Sequence, residues 1–186
     1  MFLHKWTNVL SPARLKELQD KLLGNPLLTA GHESSRYVRW CVEGNPPEAD
    51  EFLPEIEPLV KEVYTKPLKY ANSCVRTYMK DGWMGVHTDR KGLDITVSFC
   101  LKKETKGDWP LNVSKLDYGA FDAWNNHADM SKFKEDFEAV NLETNEMCCI
   151  LGTQNAHWRD KLVCEEDETN TYIFYHWSFD DALVSE

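Results

Sequence analysis

A chain of 186 residues and 21.6 kDa is long enough for one substantial core and too short for two ordinary domains joined by a linker. Its 42% hydrophobic and 12% aromatic content excludes an intrinsically disordered chain. A formal net charge of −10, from 21 Lys+Arg against 31 Asp+Glu, repels phosphate backbones and anionic bilayers, so neither a nucleic-acid nor a membrane partner is expected.

The N-terminal "MFLHKWTNVLSPARL" lacks an apolar stretch behind a basic start, and no apolar run approaches the length of a membrane span, so neither a signal peptide nor a span is expected. In "LSPARLKELQDKLLGNP" a Ser precedes a Pro suited to the first helical position, Leu15, Leu18 and Leu22 recur at helical spacing, and Gly-Asn-Pro supplies a stop. A first helix is predicted there. After the Gly- and Pro-containing "VEGNPPEAD", Phe52, Ile56, Leu59 and Val63 share one face of a second helix whose early prolines predict a broken start.

From Lys69 onward the pattern changes to short apolar runs with period two: "NSCVRTYM", "DITVSFCL", "PLNV", "EMCCIL" and "TYIFYHWSF". The expectation is one domain over 1–186, with helical support at 1–68, a β body at 69–179, and a polar loop insertion at 116–146 that forms a candidate lid. The cysteines at 41, 74, 100, 148, 149 and 164 include no Cys-x-x-Cys and mostly sit in apolar runs, where a reduced thiol acts as a small hydrophobe; a cytoplasmic location is expected.

One constellation carries chemistry. Residues i and i+2 of an extended segment face the same side, so His87-Thr88-Asp89 aims an imidazole and a carboxylate at one point. A second histidine would complete the facial triad of non-haem Fe(II) oxygenases. His4 and His32 lie in the part expected to be helical and His127 in the polar loop. His157 follows an apolar strand and a turn, while His176 is the competitor, set among aromatics as a hydrogen-bonded core residue would be.

Tyr78-x3-Gly82-x4-His87-x-Asp89, then an alternating strand to Leu101, then "GDWPLNV", "ILGTQNAHWRD" and a closing aromatic strand resemble the 2-oxoglutarate- and Fe(II)-dependent oxygenases, in particular the small prolyl-4-hydroxylase-like branch. The resemblance covers Val75 to Phe179. It implies a mainly β double-stranded β-helix, or jelly roll, with N-terminal helices. It also implies iron ligands His87, Asp89 and His157, a 2-oxoglutarate contact from Tyr78, and hydroxylation of an unactivated C–H bond with dioxygen as oxidant. A carboxylate at Asp89 points to hydroxylation, since related halogenases lack one there. The substrate class implied is a small molecule or an amino-acid-like or peptidyl side chain.

The sequence departs from the family in one respect. The basic residue expected on the strand after the distal histidine, to pair with the far carboxylate of 2-oxoglutarate, is missing: Glu166 to Thr171 is acidic or neutral throughout. Arg159, two residues beyond His157 and on its face if the strand continues, is the first replacement. Lys102 is the second, because Thr96, Ser98, Cys100 and Lys102 share one strand face, from which Thr96 and Ser98 would meet cosubstrate or product. The rivals are a cupin-like metalloenzyme using other ligands and a jelly-roll binding module in which His-x-Asp is incidental.

Overall fold

The computed structural model describes residues 3–30, 38–117 and 131–179. Its strands and helices run in the order β1 (Leu3–Trp6), α1 (Pro12–Leu22), β2 (Thr29–Ala30), β3 (Val38–Gly44), α2 (Leu53–Val63), β4 (Leu68–His87), β5 (Ile95–Lys103), β6 (Leu111–Asp117), β7 (Phe137–Val140), β8 (Met147–Ile150), β9 (Asn155–Arg159) and β10 (Asn170–Phe179). The strands form one curled antiparallel sheet in the order β1-β8-β5-β10-β4-β9-β6-β7, with β3 also on β4 and β2 on β3. This is the jelly-roll architecture expected from the sequence.

The 20-residue β4 makes the curl possible. Its first half pairs with β10, from Leu68↔Phe179 to Tyr78↔Asn170, and its second half leaves that partner for β9 through Met84↔Arg159 and His87↔His157. The change of partner falls at Asp81, which adopts φ 62, followed by Gly82, where a Cβ would press on the carbonyls of Met79 and Trp40. A long strand bent there delivers His87 to the inside of the roll.

Alternation then sorts side chains between two cores. Ile173, Tyr175 and Trp177 of β10 join Val97 and Phe99 of β5 beneath the helices, against Leu18, Leu22, Phe52, Ile56 and Val60. Tyr172 and Phe174 point the other way, into the roll, with Tyr78, Cys100, Trp109, Leu111 and Ile150. Helix α1 is capped by Ser11, whose side chain accepts from the Arg14 amide, and the chain turns away at Gly24 with φ 73. Truncating fully buried Leu22 to Ala is expected to lower unfolding free energy by about 2–5 kcal/mol in a urea titration. Metal affinity of the folded fraction should stay unchanged, because the helix covers the face of the sheet opposite the roll interior.

Three features differ from the sequence-based expectation. Residues 3–6, expected to be part of a helical region, pair with β8 as a strand that carries His4 opposite Cys149. Residues 38–44 form an edge strand interrupted at Trp40, whose φ of 54 breaks the alternation that would have marked it. The polar 116–146 segment contains β7, paired with β6 from Leu111↔Val140 to Ser114↔Phe137. His32, His127 and residues 118–130 of the candidate lid lie outside the described residues. Among the described residues no helix is long and apolar enough to cross a membrane.

Candidate metal centre

The end of β4 places His87 directly across from His157 of β9, with ring centroids 4.3 Å apart. Asp89 follows in the turn beyond β4, where its amide donates to the Gly152 carbonyl at 2.8 Å. Thus the turn after β4 and the turn between β8 and β9 are tied to each other beside the paired strands. Gly152 has no alternative here, since a Cβ would overlap both the Asp89 carboxylate and the Thr96 hydroxyl.

His87, Asp89 and His157 each offer one donor atom, and these atoms lie within 4.8 Å of one another. Each histidine turns Nδ1 to a backbone carbonyl, Gly85 O at 2.8 Å for His87 and Asn155 O at 3.0 Å for His157. A carbonyl only accepts, so each Nδ1 carries the proton and each Nε2 keeps its lone pair. Both Nε2 atoms stand 3.8 Å from Asp89 Oδ1. The other carboxylate oxygen, Oδ2, accepts from Thr96, which frees Oδ1 to ligate.

Burial, reinforced by the neighbouring His157, lowers His87 to about 4, so its imidazole is neutral and ready as a donor near neutral pH. Burial alone would raise the Asp89 carboxyl. Attraction to His157, His176 and His87 in their charged forms, with the hydrogen bond from Thr96, outweighs it and holds the carboxyl below its ordinary range. Two imidazoles with Nδ1 held by backbone carbonyls and one carboxylate, on one side of an open space, suit a divalent transition metal that keeps further coordination positions.

The cavity at this centre encloses about 90 Å³ and is lined beyond the triad by Arg76, Thr96, Ser98, Phe174 and His176, among others. His176, the competing histidine, is not one of the three converging donors; its Nδ1 lies 2.8 Å from Asn72 Oδ1 on the cavity wall. Tyr78 is fully buried just behind the wall, edge-on to Trp109 at 4.7 Å. Burial raises its hydroxyl's pKa against the pull of Arg76 and Arg159, so it remains a donor. Arg159 shares the inward side of β9 with His157 and is 1% exposed, donating to Trp109 O at 2.8 Å and Ser98 Oγ at 3.3 Å. Lys102 is not brought in: at the end of β5 its ammonium pairs with Glu104 and its side chain is 42% exposed.

Sequence reasoning passed over Arg76. It lies on β4 two residues before Tyr78 and therefore on the same face, which is the signal that was available.

No family model and no curated relative matches this sequence. Among solved structures, HygX from Streptomyces hygroscopicus with nickel and 2-oxoglutarate bound is similar over 96% of this chain and 83% of that one, with TM-score 0.68 at 8% identity. A prolyl hydroxylase from Trichoplax adhaerens, in complex with a hypoxia inducible factor oxygen degradation domain peptide fragment, is similar over 99% and 87%, with TM-score 0.68 at 12% identity. A Pseudomonas putida prolyl-4-hydroxylase is similar over 95% and 92%, with TM-score 0.64 at 11% identity. At such identities the likeness is one of architecture: this chain shares the fold of these structures.

Proposed function

We propose that the chain is a single-domain, Fe(II)- and 2-oxoglutarate-dependent dioxygenase that hydroxylates an unactivated C–H bond. The observation that carries this reading is the convergence of His87 Nε2, His157 Nε2 and Asp89 Oδ1, with both imidazole tautomers fixed by backbone carbonyls and the spare carboxylate oxygen occupied by Thr96. These three side chains would hold the iron. Bound there with 2-oxoglutarate, iron supplies the activation of dioxygen that couples loss of carbon dioxide from the cosubstrate to oxidation of a C–H bond.

The cosubstrate fit rests on Arg159. Among the described residues no carboxylate pairs with this buried guanidinium, and its Nε has no hydrogen-bond partner. A buried charge left in that condition is costly unless an anion completes it. From Asp89 the hydroxyls of Thr96 and Ser98 run along β5 toward the Arg159 guanidinium, which gives a dicarboxylate polar partners along its length. In this reading Arg159 and Ser98 bind the far carboxylate, the buried Tyr78 hydroxyl donates nearby, and Ile150, Leu111 and Phe174 keep water from the cavity.

The substrate class we favour is a small molecule or an amino-acid-like or peptidyl side chain, in keeping with structures of the same fold that hold hygromycin B or a peptide fragment. The test mixes anaerobic apoprotein with Fe(II) and 2-oxoglutarate and looks for the visible absorption of a 2-oxo acid chelated to iron. Its appearance in wild type and its loss in a His87→Ala, Asp89→Ala double variant are expected. No absorption in wild type would leave a metal-binding module or a cupin-like metalloenzyme.

A further inference from the structure

On β10, the strand that follows the distal histidine, the residues facing into the roll at Tyr172 and Phe174 are aromatic rather than basic. Each carries a guanidinium from another strand against its ring. The Arg159 guanidinium carbon lies 4.2 Å from the Tyr172 centroid, and that of Arg76 lies 5.1 Å from the Phe174 centroid. The positive charge absent from β10 is therefore supplied from β4, its neighbour in the sheet, and from β9, the strand beyond β4. The Tyr78 hydroxyl links them: Arg76 Nη1 donates to it at 3.2 Å, and the charges of both arginines act on it.

Arg76, unlike Arg159, has an acid partner. Nε and Nη2 approach the same Glu43 oxygen, at 2.9 and 2.8 Å, in a pair whose side chains are 17% and 30% exposed. With Nη1 on the Tyr78 hydroxyl and in weak contact with Met84 Sδ at 3.9 Å, the remaining donor capacity lies on the two terminal nitrogens, at the end of a guanidinium that lines the cavity. Donors arranged in this way suit a carboxylate oxygen.

We infer that Arg76 and Arg159 together form a two-sided clamp on the far carboxylate of the 2-oxo acid, and that Glu43 tempers the Arg76 side so that the dicarboxylate product can leave. The inference rests on the proposed function and deepens it. Splitting the charge between two arginines, one of them half-neutralised, moderates the grip on both the dicarboxylate cosubstrate and the dicarboxylate product, so that neither is held too long. Glu43, on β3, is placed to set that balance because it faces Arg76 across the β3–β4 pair.

Calorimetric titration of the Mn(II)-loaded protein with 2-oxoglutarate and, separately, with succinate tests this without turnover. Arg76→Met is expected to weaken 2-oxoglutarate binding by about tenfold or more, the scale of a lost charge-assisted hydrogen bond, with Mn(II) affinity within about twofold of wild type. Glu43→Gln is expected to tighten both 2-oxoglutarate and succinate by about two- to fivefold, the scale of a partly exposed ion pair. Arg76→Lys, which keeps the charge and loses the fork, should fall between wild type and Arg76→Met, and it carries the test if the Met variant does not fold. Wild-type binding of 2-oxoglutarate by a folded Arg76→Met protein removes Arg76 from the clamp, and unchanged affinities in Glu43→Gln remove Glu43 from its control. Failure of wild type itself to bind 2-oxoglutarate overturns the proposed function instead.

Discussion

Asp89→Ala protein is expected to lose divalent iron affinity by more than the roughly ten- to hundredfold that removing a supporting contact around a metal typically costs. Competition against a metal-chelating dye under anaerobic conditions would measure it. The carboxylate is the only anionic donor of the three, and its charge offsets that of the ion in a site where burial opposes any unbalanced charge. Gly152→Ala should fall within that ten- to hundredfold range although it deletes no donor. The added methyl collides with Asp89 Oδ2 and with Thr96, so the carboxylate rotates away or the turn between β8 and β9 shifts. Because Asp89 N donates to Gly152 O at 2.8 Å, either response moves both sides of the centre. Normal iron affinity in Gly152→Ala would mean that this turn yields freely and that the tie to Asp89 does not position the ligand.

The three donors were legible in the sequence because their placement depends on local rules. His87 and Asp89 need only the two-residue spacing, and His157 needs a strand that returns beside β4, which the apolar run "EMCCIL" and the turn after it foreshadow. The two-face reading of β5 likewise put Thr96 and Ser98 on the cavity side. The same reading extended too far at Lys102: at a strand end a long flexible side chain follows the nearest carboxylate, here Glu104, rather than the pleat. Gly152 was not legible because its constraint comes from the Asp89 carboxylate, distant in the chain and visible only when the two turns meet. Arg76 was hidden for a different reason. The one cue was its two-residue offset from Tyr78, and that cue places Arg76 inside only once the bend at Asp81 shows which face of β4 curls inward. The strands β1 and β3 and the short β7 escaped notice because edge strands bury little, and their patterns carry correspondingly weak alternation.

Arg159→Met protein is expected to separate stability from cosubstrate binding. Arg159 sits 1% exposed with no carboxylate partner among the described residues, sustained by one carbonyl, one hydroxyl and two aromatic faces, those of Trp109 and Tyr172. A buried charge so placed is a burden that a methionine of similar reach lacks, so the thermal midpoint of the metal-loaded variant without 2-oxoglutarate should match or exceed that of wild type. Adding 2-oxoglutarate at about a hundredfold over its wild-type dissociation constant stabilises a protein by about 2.7 kcal/mol through mass action alone. Wild type should show that rise, and Arg159→Met should lose most of it while keeping its affinity for iron. The opposite pattern, a lower midpoint without ligand and an undiminished rise with it, would make Arg159 a structural brace between β9, β5 and Trp109. In that case the task of holding the dicarboxylate would pass to the arginine on β4.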